Sequence, residues 1–276
     1  MGTIQFYGDK LGSFAAFLAA EGTGEVSMIT PGMLRAYLLK LGQTHNRGGV
    51  RAHYRAFSAF LHWWQENEAP EGWPSPLTTV RPPKVPTVVL EPVPAPDIKA
   101  MVRTCERRTF FGTRDRAVLL ALLDTGARAA EFVGIDMADV DLPTGQILIR
   151  AGKGGRPRVV FIGAKNRRSL VAYLRQVDDQ DQSAALWKTG QGTRLTYSGL
   201  RELVRRRARR AKVPDPSLHS FRRAFALACL RNGMSVFALQ RLMGHRDLTV
   251  LHRYLAQTTD DLRRAHSRDG PVDNLL

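Results

Sequence analysis

Residues 242–254 read Leu242-Met243-Gly244-His245-Arg246-Asp247-Leu248-Thr249-Val250-Leu251-His252-Arg253-Tyr254. The apolar spacing from Val236 to Met243 is that of a helix, and a glycine next in line suits the position just past a helix end. Asp247 suits an N-cap, so a further helix is expected from about Leu248 to Leu255. One uninterrupted helix would put His245 and Tyr254 on opposite faces, because nine residues at 100° each make a half-turn overall. With a break at Gly244 and Asp247, the chain turns at His245 and the two side chains can converge. The same stretch suits a metal poorly, since His219, His245 and His252 form neither an HxxxH nor an HExxH pattern and few carboxylates lie beside them.

Three other stretches carry polar groups in similar settings. Thr125-Gly126-Ala127-Arg128-Ala129-Ala130-Glu131 ends an apolar helix at glycine and starts a new one with Arg128 in its first turn. Arg128 and Glu131 share a face, which fits a helix-start salt bridge as well as a ligand contact. Strand signals occur only at 146–150 and 158–162, flanking Gly152-Lys153-Gly154-Gly155, and predict a β-hairpin. Lys153 is then either an ordinary basic tip or a donor that glycines allow close to a phosphate. His219-Ser220-Phe221-Arg222-Arg223 sets His219 and Arg222 three apart on one helical side. One can hold or move a proton and the other stays charged at any working pH, although a backbone-capping histidine beside a solvated arginine fits too.

The chain has 276 residues, 43% hydrophobic and 24% charged, which excludes disorder and a fibrous repeat and allows two domains. Two cysteines, Cys105 and Cys229, offer no disulfide framework and no structural zinc site. The N-terminus lacks the pattern of an export signal, and the longest wholly apolar run, Ala117 to Leu123, is far short of a bilayer span, so a cytoplasmic, nucleoid-associated protein without a membrane partner is expected. The net charge of +16 is uneven: residues 1–90 carry +2 and residues 91–276 carry +14. An excess of this size, mostly arginine, favours a polyanionic partner, whether nucleic acid or an anionic surface.

Six prolines between Pro82 and Pro96 predict a linker over 81–96, dividing a helical domain at 1–80 from a second domain at 97–276, with a tail from about 258. The first domain should hold three helices: one on Phe6, Leu11, Phe14, Phe17 and Leu18, one from Thr30-Pro31 to Leu41, and one from Asn46 to Asn67. The third carries an apolar stripe of Val50, Tyr54, Phe57, Phe60, Leu61 and Trp64, with Arg47, Arg51, His53 and Arg55 around it. In the second domain, helices are expected at 97–106 capped by Asp97, 113–123, 164–176, 198–211, 220–232 and 236–243. The run Arg205-Arg206-Arg207-Ala208-Arg209-Arg210 would form the solvated or DNA-facing side of a helix whose apolar face is Leu200, Leu203, Val204 and Ala211.

Taken in order, TGARAAE, GKGGRPR, LHSFRRAFA and LMGHRDLTVLHRY resemble the tyrosine recombinase (phage integrase) family, and the resemblance spans both domains. It implies a mainly α fold with a small antiparallel β-sheet: an N-terminal helical, SAM-like core-binding domain and a mixed α/β catalytic domain. It further implies that Arg128, Lys153, His219, Arg222 and His245 activate a DNA phosphate, that Tyr254 is the nucleophile, and that no cofactor or metal is needed. Glu131 is expected to support Arg128. Arg223 stands where many members have histidine and Phe221 where leucine is common. With no room for an arm-site-binding domain, an Xer-like or transposon-type member is the closer comparison.

The residue types suit that chemistry. Charge builds on the non-bridging oxygens as phosphorus is attacked, and two arginine forks from different helices can neutralise it. A neutral tyrosine is a weak nucleophile, so Tyr254 needs a base, for which His219 is the candidate, with His245 donating to the phosphate. Lys153 would protonate the departing 5′ oxygen. The resemblance implies a 3′-phosphotyrosine intermediate and a homotetramer on two synapsed duplexes, with room for accessory recombination proteins. The tail residues Leu262, Ala265, Val272, Leu275 and Leu276 would dock on a neighbouring protomer or pack at home. Candidate DNA contacts are Arg47, Arg51, Arg55, Arg156, Arg158, Arg205, Arg206, Arg209, Arg223 and Arg246. A type IB topoisomerase-like DNA relaxase and a non-catalytic architectural DNA-binding protein on the same fold are the competing readings.

Overall fold

Helix caps set the architecture. In the computed structural model, which describes residues 3–85, 91–150, 157–177 and 184–244 with positions 263, 266, 267, 270 and 272, the Thr30 side chain accepts from the Met33 N–H at 3.3 Å and Asn46 accepts from Gly49 at 2.8 Å. These caps start α2 (Pro31–Thr44) and α3 (Arg47–Asn67), which follow α1 (Thr3–Ala20). The three helices enclose Phe14, Phe17, Leu34, Tyr37, Leu41, Phe57 and Leu61 in a unit that spans Met1–Val88. Val80 closes that core, and the Tyr54 hydroxyl donates to its carbonyl at 3.0 Å.

His53 departs from expectation. It falls on the inward face of α3 with Val50 and Phe57 and is 3% exposed, with Nδ1 2.8 Å from the Tyr37 hydroxyl. Burial first, then the charges of Lys10 and His45, lower its pKa to about 4. Arg47, Arg51 and Arg55, four residues apart, form an exposed stripe on the same helix.

The second unit spans Val89–Leu276. Its helices are α4 (Ala95–Arg103), α5 (Phe110–Thr125), α6 (Ala129–Val133), α7 (Ala164–Leu174), α8 (Tyr197–Ala211), α9 (Leu218–Arg231) and α10 (Val236–Met243). Helix α4 starts two residues before Asp97, which sits in the first turn rather than at the cap, because Pro96 is accommodated there without a missing hydrogen bond. Thr109 caps α5 and Ser217 caps α9, so both begin earlier than their apolar runs indicate. Helix α5 is buried almost all round, packed against α7 and α9, and serves as the axis of the unit.

The sheet has three antiparallel strands in the order β1 (Val140–Asp141), β2 (Gln146–Ile149) and β3 (Arg158–Phe161), with Ile147 opposite Val160 and Ile149 opposite Arg158. Alternation turns Ile147, Ile149 and Val160 into the core and Leu148, Val159 and Phe161 outward. The fold is thus mainly α with one small antiparallel sheet.

The arginine run of α8 is not a uniform polar face. Arg207 lies on the stripe of Leu200, Leu203, Val204 and Ala208 and is buried with them. It donates to Asp115 Oδ2 at 2.8 Å and to the Thr104 carbonyl at 2.7 Å, while Arg206 reaches the same carboxylate at 3.0 Å and Arg114 holds its other oxygen. Asp115 thereby ties α5 to α8, and Arg207 ties the end of α4 to α8. Arg205 pairs with Glu202 on the surface, and Arg209 is exposed.

Among the described residues no helix is long and apolar enough to cross a membrane, and no cluster of candidate metal ligands occurs. The expected helix at 248–255 and the tail residues Leu262, Ala265, Leu275 and Leu276 lie outside the described residues; Val272 is exposed.

Candidate active site

The apolar helix α5 ends where the sequence places a glycine. Gly126 takes a left-handed conformation, φ +57°, and a Cβ there would lie 2.2 Å from the Phe225 ring, so only glycine fits. Its carbonyl accepts from Arg222 Nη1 at 2.6 Å. Two residues on, Arg128 is the N-cap of α6 with extended backbone, and its N–H donates to Glu131 Oε2 at 3.0 Å while its Nη1 meets Oε1 at 2.9 Å. The salt bridge read from the spacing forms, but it also aims Arg128, whose side chain is 48% exposed.

Arg222 lies one turn after the start of α9 and is 2% exposed. Besides Gly126 it reaches the Met243 carbonyl through Nη2 at 2.7 Å. Arg128 Nη2 reaches the Gly244 carbonyl at 3.4 Å. Two arginines 94 positions apart in sequence therefore meet at the C-terminus of α10, the residue before His245. That helix end is the negative pole of its dipole, where cations are favoured. Gly244, with φ +62°, supplies the left-handed cap and its N–H closes back on the Arg241 and Gln240 carbonyls.

His219 is three residues before Arg222 on α9 and is exposed. Partial burial first, then the charges of Arg223, Arg222 and Arg128, push its pKa below the ordinary imidazole value. Both causes favour the neutral imidazole, the form that can accept a proton. Arg223 donates to the Glu91 carbonyl at 3.4 Å.

Arg158 corrects a sequence expectation. Named there as a DNA contact, it is 11% exposed and turned inward: Nη1 and Nη2 lie 3.2 and 2.6 Å from the two Glu131 oxygens, and Nε donates to the Leu242 carbonyl at 2.8 Å. A half-buried carboxylate calls for a second cation, and Arg158 provides it. Burial works against the charge on Glu131, but the hydrogen bonds from Arg158 and Arg128 outweigh it and lower the pKa to about 2. No local pattern signals this pair, which is 27 residues apart; only the strand register of β3 brings it together.

Arg150, at the end of β2, pairs with Asp136 at 3.0 Å and Asp139 at 2.7 Å and anchors the base of the hairpin. Lys153, Arg156, His245, Arg246 and Tyr254 lie outside the described residues. The described part of the site thus unites Arg128, Glu131, His219 and Arg222, adds Arg158, and leaves Arg47, Arg51 and Arg55 on α3 in the separate first unit.

Three arginines gathered at helix ends around one half-buried carboxylate, with His219 beside them, leave the described site with an excess of positive charge, which suits an anion. The model of the phage integrase family matches residues 93–260, more than half of the chain. Tyrosine recombinase XerC of Oceanobacillus iheyensis is 27% identical over 284 residues, covering 99% of this chain and 91% of its own. The solved structure of XerH site-specific recombinase bound to palindromic difH substrate, a post-cleavage complex, superposes with a TM-score of 0.77 at 19% identity, over 96% of this chain and 79% of that one. A lambda integrase tetramer bound to a Holliday junction gives a TM-score of 0.73 at 15% identity, over 91% and 71%. The chain belongs to the phage integrase family, the tyrosine recombinases, as a Xer-like member. It is a site-specific recombinase, an enzyme that cleaves and rejoins DNA.

Proposed function

We propose that this recombinase works on double-stranded DNA through a 3′-phosphotyrosine formed on Tyr254, with Arg128, Lys153, His219, Arg222 and His245 activating the phosphate. The observation that carries the reading is the meeting of Arg128 and Arg222, from α6 and α9, at the carbonyls of Met243 and Gly244, directly ahead of His245 in the chain. Arg128 and Arg222 neutralise the charge that builds on the non-bridging oxygens. His219 takes the phenolic proton as Tyr254 Oη bonds to phosphorus, and His245 donates to a phosphate oxygen. The P–O5′ bond breaks as Lys153 gives its proton to the leaving oxygen. One phosphodiester is exchanged for another, so a second 5′-hydroxyl can reverse the step without ATP.

Recombination of two duplexes needs four such sites, and a homotetramer on synapsed DNA supplies them; the lambda integrase tetramer on a Holliday junction supports that assembly. Residues 1–80 act as the core-binding domain, 81–96 as the linker and 97–276 as the catalytic domain. The exposed Arg47, Arg51 and Arg55 stripe of α3 meets phosphates, as do Arg156, Arg205, Arg209, Arg223 and Arg246 on the catalytic side, while Arg206 is taken up by Asp115. The reaction takes place at the nucleoid in the cytoplasm, with accessory recombination proteins as further partners.

The test is a supercoiled plasmid carrying two copies of the DNA that flanks the protein's own gene. Wild-type protein should yield exchanged products with junctions at one position, and Tyr254→Phe none. Relaxation of the plasmid without exchange would favour a type IB relaxase instead.

A further inference from the structure

Three backbone carbonyls at the end of α10 are satisfied by three arginines from three different elements. Leu242 accepts from Arg158 of β3 at 2.8 Å, Met243 from Arg222 of α9 at 2.7 Å, and Gly244 from Arg128 ahead of α6 at 3.4 Å. With Arg241 and Gln240 closed by the Gly244 N–H, every orphan acceptor of that helix end has a donor. Arg128 and Arg222 have phosphate roles in the reading above; Arg158 does not. Its fork is shut on both oxygens of Glu131, and Glu131 in turn grips the backbone and side chain of Arg128. A single inward arginine therefore holds, at once, the carboxylate that aims Arg128 and the helix end that leads to His245.

Surface pairing would not require this arrangement. Taking a guanidinium out of water is costly unless its donors are met, and here they are met by two partners that belong to different parts of the site. A lysine in its place could satisfy the charge of Glu131 but not the carbonyl of Leu242 as well, because its donors radiate from one point instead of a planar fork.

We propose that Arg158 is a positioning residue for strand cleavage, fixing Arg128 through Glu131 and the approach to His245 through the Leu242 carbonyl, so that phosphate clamp and nucleophile segment keep one register. It rests on the recombinase reading above. The cleavage step it serves is unchanged: the Tyr254 Oη–P bond forms, the P–O5′ bond breaks, and the phenolic and leaving-group protons pass through His219 and Lys153.

The experiment uses the full chain, with wild type, Arg158→Lys, Arg158→Ala, Glu131→Gln and Lys153→Ala. Single-turnover cleavage is measured on nicked duplex from the gene's flanking DNA, beside DNA affinity and Tm. Arg158→Lys should keep DNA affinity close to wild type and lower Tm only slightly, for the one Leu242 carbonyl it leaves unmet, while cleavage falls about 10- to 100-fold, the range for removing an orienting partner and for a misplacement near 1 Å. Arg158→Ala should fall at least as far, and combining Arg158→Lys with Glu131→Gln should cost less than the product of the two separate losses. A substrate with sulfur at the bridging 5′ position leaves without a proton, so it should rescue Lys153→Ala and leave Arg158→Lys slow. In DNA-free protein, amide exchange near Leu242 should quicken in Arg158→Ala relative to the rest of the chain.

Cleavage by Arg158→Lys at the wild-type rate would overturn the proposal, as would loss in step with DNA affinity, rescue by the sulfur substrate, or unchanged exchange at the α10 end. A wild-type protein that forms no adduct would count instead against the recombinase reading, and the exchange measurement would still judge whether Arg158 holds the helix end.

Discussion

A guanidinium whose donors are fixed on backbone carbonyls is already oriented before substrate arrives, and Arg222 is in that condition, held by Gly126 and Met243. Arg222→Ala should lower single-turnover cleavage by about 10²- to 10³-fold, the usual cost of removing one donor from a charge-stabilising site. The same substitution leaves two carbonyls without a partner, so Tm should fall with it. His219 gives a pH signature. Its pKa lies below the ordinary value, and a base works when unprotonated, so cleavage should already be at its plateau at neutral pH and decline only in mildly acidic buffer. Rate measurements on wild type and His219→Gln check this, the variant losing the acidic limb. His53 has the opposite character, a buried neutral histidine with a structural task. Its pKa is about 4 in the fold against the ordinary 6.5 when unfolded, so the unfolded chain binds more protons between those values. Stability should be full above pH 6.5 and decline as pH falls towards 4, by up to on the order of 3 kcal/mol from this group. Denaturant titrations of the full chain at several pH values would show it, and a flat profile would exclude it.

At the scale of elements, Asp115 joins α5 to α8 in the second unit. It is fully buried and holds Arg114, Arg206 and Arg207 from α5 and α8. Asp115→Ala would leave buried arginines uncompensated and should destabilise the protein by about 3–5 kcal/mol in denaturant titrations. This network was open to the sequence in part. Residues 200, 203, 204, 207 and 208 follow the helical repeat, so Arg207 stands on an apolar stripe, and an arginine there demands a buried acid. Arg205, Arg209 and Arg210 of the run do face outward, and the partner, 92 residues away, has no local mark. Three caps were legible for a plain reason: Thr30-Pro31, Gly126 and Gly244 act on their own backbone, within one turn. The short strand β1 was not, since two residues carry no alternation and form a strand only by pairing with β2. Arg158 belongs with the hidden features, because facing Glu131 rather than solvent depends on how β3 lies against α6.

Over the whole molecule, the charge excess sits in residues 91–276, at +14, while residues 1–90 carry only +2, with Arg47, Arg51 and Arg55 exposed along one stripe of α3. Changing Arg47, Arg51 and Arg55 to alanine together should weaken DNA binding evenly across sequences and reduce the slope of log K against log salt by about 0.9 for each phosphate no longer neutralised. Titrations of labelled duplex over a range of salt concentrations measure this, and an unchanged slope would remove the stripe from the DNA interface. The central claim concerns Tyr254. Wild-type, Tyr254→Phe and Arg128→Ala protein would be incubated with nicked duplex from the DNA flanking the gene, denatured in SDS, and the DNA-linked peptide sequenced. The account predicts an adduct with wild type alone, carried on Tyr254 and joined to a 3′ phosphate. Binding of a defined fragment by all three proteins, with no adduct from wild type or with the link on another residue, would contradict it.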